Sequence, residues 1–290
     1  MKVTIIVFSP SGHTLKAANM FKDVFQSKGV PAQLIDITKN PDFLEEDDMT
    51  QRLEHALEAH DVLLVGGPIY AGHMEHNVLR LIRNLPACDG KFGTLAVPFV
   101  TYGGVHSSVA LDEAGRLLKK KKRKSILGVK IAAEHTLTKT ASKIICEGLP
   151  GENEEKIIAE AVEKIIAAAQ NPAAVKDAGK SFRYAKPMER LMFKLFSQEA
   201  IHKKFKHVAI DENACAQCGR CVAACPVNLF EIQNGQVRIA EDRSRCILCA
   251  ECYHRCPSGA IVHPYIEPAK VRLKDGNAKL EEIPSAIYGR

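Results

Sequence analysis

The chain has 290 residues, 46% of them hydrophobic and 26% charged, with a formal net charge of +6 and 10 cysteines. That length predicts one large domain and one small one, and no apolar run approaches the roughly eighteen residues needed to span a bilayer. A basic excess invites a nucleic-acid partner, a reading the cysteines remove below, and without a charged-then-apolar leader the chain reads as cytoplasmic.

Residues 2–8, Lys-Val-Thr-Ile-Ile-Val-Phe, predict a buried strand that runs into Ser9-Pro10-Ser11-Gly12-His13-Thr14, with a helix predicted from about 15 to 26. Strand, hydroxyl-rich loop and helix together make a phosphate site, because backbone N–H and side-chain O–H groups surround an anion at the positive end of a helix. Further strands are predicted near 32–36, 61–65, 92–99 and 127–133, with helices near 50–59, 74–84, 106–121 and 152–169. Strands alternating with helices in this way predict an α/β fold, a doubly wound five-stranded parallel sheet. A ligand of such a sheet lies beyond the carboxyl ends of the strands, so the loops after strands one, three and four should converge on it.

The second of those loops reads Gly66-Gly67-Pro68-Ile69-Tyr70-Ala71-Gly72, and the third Thr101-Tyr102-Gly103-Gly104-Val105-His106. Each sets an aromatic beside glycines, which lets a flat ring stack while backbone amides approach its edge. The first loop lacks the G-x-G-x-x-G of a nicotinamide site, and it has neither the cysteine nor the arginine of a phosphatase loop. With Ser9, Ser11, Gly12, His13 and Thr14 in these positions, the domain resembles the flavodoxin family, whose first loop commonly has threonine where Ser11 stands. Pro10 removes one backbone donor from the usual cradle. The resemblance implies FMN, with residues 9, 11, 12, 13 and 14 on its phosphate. Gly67, Pro68, Ile69, Tyr70, Ala71 and Gly72, with Thr101, Tyr102, Gly103 and Gly104, would flank the ring, Tyr102 first for stacking and Tyr70 second. His73 and His106 could orient a substrate there, and His73 with His76 raises a weak metal reading.

Residues 1–170 are thus expected to form the FMN-binding domain. Asn171-Pro172 ends its last helix, and 171–206 reads as a basic helical linker. Met188, Leu191, Met192, Leu195 and Phe196 recur at helical spacing, with Arg190, Lys194, Lys203, Lys204 and Lys206 around them. The expectation is a helix packed between two domains, with a membrane-surface helix as the lesser reading. The run Lys119-Lys120-Lys121-Lys122-Arg123-Lys124 is expected to be a solvated helix end, and less so a docking patch.

From 207 to 263 the chain changes character. Cys215-x2-Cys218-x2-Cys221-x3-Cys225-Pro226 recurs as Cys246-x2-Cys249-x2-Cys252-x3-Cys256-Pro257, and Asp211 recurs as Asp242, all offset by 31 residues. This doubled spacing holds two [4Fe-4S] clusters, and its fourth cysteine ligates the other cluster. One cluster is therefore expected on Cys215, Cys218, Cys221 and Cys256, the other on Cys246, Cys249, Cys252 and Cys225. Zinc prefers separated C-x2-C arms around one ion, and a disulfide framework suits small secreted chains. Cys88 and Cys146 stand apart and receive no role. Eight thiolates contribute about −8 and two oxidised cores about +4, taking the formal +6 to about +2, and an FMN phosphate takes it near zero. The basic excess is internal compensation, and no nucleic acid is expected.

Between the two cysteine runs, residues 229–232 and 237–239 flank Asn234-Gly235, a hairpin signal, and the hairpin should shield a cluster from water. Arg220, Arg245 and Arg255 each adjoin a cysteine. The tail, 264–290, is expected to dock back or stay mobile. The combination resembles the flavodoxin-ferredoxin fusion proteins of anaerobic bacteria and archaea. That resemblance implies electron transfer between two [4Fe-4S] clusters and FMN, with ferredoxin-type redox proteins as donor or acceptor. The alternative is an FMN-dependent reductase of a quinone or other small acceptor, fed by the clusters.

Overall fold

The structure is a computed structural model that describes residues 1–45, 47–105, 107–195, 198, 207–268 and 285–289. In chain order its first elements are β1 (Val3–Val7), α1 (His13–Ser27), β2 (Ala32–Asp36), α2 (Pro41–Leu44), α3 (Met49–Ala56), β3 (His60–Tyr70), β4 (His73–Met74) and α4 (His76–Arg83). There follow β5 (Phe92–Tyr102), α5 (Ala110–Lys120), β6 (Lys124–Ser125), β7 (Gly128–Ala132), α6 (Glu152–Ala169) and α7 (Pro187–Leu195). The main sheet runs β2-β1-β3-β5-β7, all parallel. Counted among the parallel strands this is the order 2-1-3-4-5 of a flavodoxin-like sheet. The expected strands and helices all form, and a further antiparallel strand, Ala286–Tyr288, is added on β7 from the far end of the chain.

Helices cover both faces, so the central strands carry apolar residues in succession rather than in alternation. Val3, Ile5 and Val7 point to α1 and α6, where Phe21, Phe25, Ile158 and Val162 are buried, while Ile6, Leu63 and Val65 point to the face of α3 and α4. Two glycines of the second loop sit inside this packing. A Cβ on Gly66 would lie 2.0 Å from Phe99 Cζ, and one on Gly67 would lie 2.6 Å from Val78 Cγ2.

The linker corrects the sequence reading. Its first part wraps back onto the flavodoxin-like domain: Phe182 is buried against Gly115 and Gly128, Asp177 accepts from the Ser125 amide (3.0 Å), and Tyr184 stacks on Tyr288 at 4.6 Å. Helix α7 turns its polar side inward, where Glu189 accepts from Ser108 (2.6 Å), Arg190 pairs with buried Asp112 (3.7 Å) and Phe193 meets the His73 ring edge-on. Its apolar stripe faces outward, with Met188 at 76%, Leu191 at 54%, Met192 at 48% and Leu195 at 70% exposure. The stripe is therefore not packed between two domains. Phe196, Lys203, Lys204, Lys206 and the Lys194 side chain lie outside the described residues, as does His106. Within the lysine run Arg123 is buried, 1% exposed, and donates to the Pro86 carbonyl at 3.0 Å. It is not part of a solvated end.

The cysteine-rich region forms a compact unit against the sheet domain. Phe230–Gln233 and Gln236–Ile239 pair as the expected hairpin around Asn234 and Gly235, both at positive φ. Ala209–Ile210 pairs with Ile261–Val262 and closes the unit. Lys39, in the loop after β2, ties it down: its amide donates to Pro226 O (2.8 Å), and its ammonium donates to Val222 O and Ala223 O (2.9 and 2.8 Å) at the end of the short helix Arg220–Ala224. A cation there satisfies final carbonyls and the negative end of the helix.

Candidate functional site

Where β1, β3, β5 and β7 end, their loops form a half-open cleft of about 150 Å³. Ser11 and His13 come from the first loop, Pro68, Ile69, Tyr70 and Ala71 from the second, and Thr101, Tyr102 and Gly103 from the third. The loop after β7 adds Glu134, His135, Thr136 and Leu137, which sequence reasoning missed by taking only three loops to the site. Leu248 also lines the cleft, from within the second cysteine run.

The first loop is built to face an anion. Gly12 takes the left-handed conformation (φ 85°), with nothing within 4 Å of where a Cβ would stand, and α1 begins directly after it. Ser9 Oγ accepts from the Leu15 amide (2.8 Å), and the buried Thr14 and Thr101 hydroxyls share a 2.7 Å hydrogen bond. Ser9 and Thr14 thus brace the loop, while Ser11 and His13 reach the cleft. Burial holds the His13 imidazole below its ordinary range, against the pull of Glu134.

The second loop is a tight hairpin. β3 turns at Ala71 and Gly72, both at positive φ, so that Tyr70 pairs with His73. Gly67 and Gly72 serve packing, the latter against Phe193, and neither lines the cleft. Gly104 (φ 75°) turns the third loop without lining the cleft. Tyr102 has the Lys130 ammonium 4.6 Å from its ring centroid. Tyr70 is pushed well above the ordinary phenol range by burial and then by the Cys249, Glu75 and Glu251 charges. His73 is buried away from the cleft and donates through Nδ1 to Glu113 (2.9 Å), and His76 pairs with Glu75. Among the described residues no three His, Cys, Asp or Glu side chains converge on one metal ion.

Thiols of the two runs lie near one another, Cys225 beside Cys246, Cys249 and Cys252, and Cys256 near Cys221. Burial pushes Cys246 up to about 11, with Cys225 adding to the rise. Cys249 is raised by burial and then by Cys252 and Cys225, and Cys252 by burial and then by Cys246, Cys225 and Cys221. Cys221 is raised by burial and, further, by Cys215 and Cys256. A small apolar cavity of about 20 Å³ is bounded by Cys225, Cys246, Cys249 and Cys252 together with Leu229, Phe230 and Ile247. The Leu229 amide donates to Cys225 Sγ at 3.2 Å. The duplication extends to the backbone: Gln217 and Leu248 have φ of 55° and 59°, and Gly219 and Ala250 have 71° and 68°. Asp211 and Asp242 each accept from the amide two residues on, at 3.0 and 2.9 Å.

These donor sets fit cofactors of two kinds. Hydroxyls and an open left-handed glycine at a helix N-terminus suit a phosphate. Buried thiols of one run brought beside a cysteine of the other suit polynuclear clusters, whose positive cores compensate buried thiolates. Residues 1–114 match the family described as NADPH-dependent FMN reductase, and residues 214–261 match the 4Fe-4S dicluster domain. This is a flavodoxin-like FMN domain fused to a 4Fe-4S dicluster domain.

Curated relatives of the fusion protein match its cysteine-rich part. A ferredoxin of Pyrobaculum islandicum is 46% identical over 37 residues, 12% of this chain and 35% of its own length. Ferredoxin-2 of Desulfomicrobium norvegicum is 48% identical over 29 residues, 10% of this chain and 49% of its own. The chain thus spans between a third and a half of these curated relatives. Among solved structures, a flavodoxin from the domain Archaea superposes with a TM-score of 0.41 at 16% identity, covering 59% of this chain and all (100%) of its own. No helix among the described residues is long and apolar enough to cross a membrane.

Proposed function

We propose that the fusion protein is an internal electron relay of anaerobic redox metabolism in the cytoplasm, passing electrons between its two [4Fe-4S] clusters and its FMN. Bound clusters supply one-electron chemistry, and a bound flavin can take electrons singly or in pairs. We assign one cluster to Cys246, Cys249, Cys252 and Cys225, and call it proximal. The other, on Cys215, Cys218, Cys221 and Cys256, is distal.

A single observation carries this reading: Leu248, set between Cys246 and Cys249, lines the same cleft as Ser11, His13, Tyr70 and Tyr102. The thiol loop is itself a wall of the flavin cleft, so the proximal ligands and the cleft share one lining. Tyr70 supports the same reading from the other side, since it lines the cleft and packs against the core cluster that contains Cys249. His254 fixes the arrangement by donating through Nε2 to the Thr136 carbonyl (2.8 Å) on the loop after β7. Leu229, Phe230 and Ile247 exclude water from the proximal thiols. None of these roles needs a proton donor aimed at an organic substrate. The second reading, a reductase acting directly on a quinone or other small acceptor, draws support from the family match of residues 1–114.

Anaerobic purification followed by iron, sulfide and flavin counts tests the cofactor set. The relay requires about eight irons and one FMN per chain. Fewer than about four irons, or zinc in their place, would contradict it.

A further inference from the structure

The two thiol groups differ in exposure. Cys221, Cys225, Cys246, Cys249 and Cys252 are buried, whereas Cys218 is exposed and Cys215 and Cys256 are half-buried. Cys218 of the distal group therefore reaches the surface, with Cys215 and Cys256 partly exposed beside it. The surface it reaches has a distinct chemistry. Arg220 and Arg255, both exposed, line an open groove with Ala223, Ala224 and Cys256. Beside it Ile232 is 58% exposed and reaches over Gly219, where an added Cβ would lie 3.4 Å from Ile232 Cδ1. Of the carboxylates here, Glu251 is buried and lies 3.8 Å from Arg255 Nε, and Glu231 accepts from Gln233.

We propose that this face docks a small acidic protein that carries single electrons. The inference rests on the relay reading and adds the point of entry and the charge of the partner. Guanidinium forks recognise carboxylates in two-point geometry. Small alanines leave a shallow floor, which suits a protein surface better than an enclosed small molecule. The exposed Ile232 at the edge of the groove, next to Gly219, adds the apolar contact that a transient interface needs. One electron leaves the reduced carrier, which is oxidised, and enters the distal centre, which is reduced. No bond forms and no proton moves.

The test uses the full-length holoprotein and an acidic two-cluster ferredoxin as the probe. Affinity of the oxidised ferredoxin at low salt is measured for the native protein, for the double variant Arg220→Glu with Arg255→Glu, and for the control Lys119→Glu with Lys120→Glu. The arginine variant should bind at least about tenfold more weakly, and native binding should weaken with added salt. The lysine variant should bind as the native protein does. In stopped-flow mixing, reduced ferredoxin should likewise reduce the arginine variant more slowly, while reduced methyl viologen, a small cation, should reduce both proteins without that loss. Equal ferredoxin affinity in native and arginine variant, or loss in the lysine variant alone, would overturn the docking face. If ferredoxin binds as expected but flavin stays oxidised after the clusters are reduced, the face stands and the relay fails.

Discussion

Single residues decide which cysteines serve which centre. Cys225 and Cys256 follow their runs by the same spacing, yet Cys225 lies beside Cys246 and Cys249, and Cys256 near Cys221. Cys225→Ser should therefore lower the iron count from about eight to about four and remove the same spectroscopic signal as Cys246→Ser. Loss of the signal removed by Cys218→Ser would instead assign Cys225 to its own run. The spacing predicts that crossing, and the paired aspartates were legible in the same offset. The left-handed φ of Leu248 and Ala250 was not, because nothing about leucine or alanine announces it. A second residue, His60, shows how burial hides chemistry from a sequence. It is 4% exposed and donates through Nδ1 to the Glu58 carbonyl (3.0 Å), while burial, then the nearby Arg123 cation, holds it below its ordinary value of 6.5. The unfolded chain takes up a proton near that pH that the folded chain refuses, so stability falls as pH drops below about 6.5. Urea unfolding at neutral and mildly acidic pH should show a larger loss for the native protein than for His60→Gln. Equal losses would contradict the assignment.

At the scale of elements, the strand-loop-helix signals located the sheet and three of its four cleft loops. The glycines of the second loop had a different cause from the one their neighbours suggested. They admit Phe99, Val78 and Phe193 rather than a cofactor ring. Gly66→Ala should accordingly cost about 1–3 kcal/mol in urea unfolding, since Phe99 must leave its place for the new methyl, and an unchanged midpoint would refute the packing role. Helical spacing in α7 marked an apolar stripe but could not say which side faces in. There Asp112 draws Arg183 and Arg190, and Phe193 reaches His73, so the polar side wins. Leu191→Gln with Met192→Gln should therefore leave the unfolding midpoint within about 0.5 kcal/mol of native. A larger loss would mean that the stripe is buried.

For the whole molecule, the doubled cysteine run pointed to the clusters and the hydroxyl-rich loop at residues 9–14 to FMN, and the charge of the thiolates offsets much of the basic excess. What the sequence could not contain is the order of the parts in space. Lys39 holding the helix Arg220–Ala224, His254 holding the Thr136 loop and Leu248 entering the cleft are contacts across 100 residues or more, set by packing rather than by local pattern. They put the buried thiol group next to the flavin cleft and the exposed one at the surface. The most direct measurement is anaerobic stopped-flow reduction of the native protein and of Cys225→Ser by a reduced low-potential ferredoxin, following flavin and cluster absorbance together, with FMN content matched. The relay predicts that native flavin is reduced as its clusters are, whereas in Cys225→Ser the distal cluster is reduced and the flavin stays oxidised on that timescale. Flavin reduction at the native rate in Cys225→Ser would contradict it.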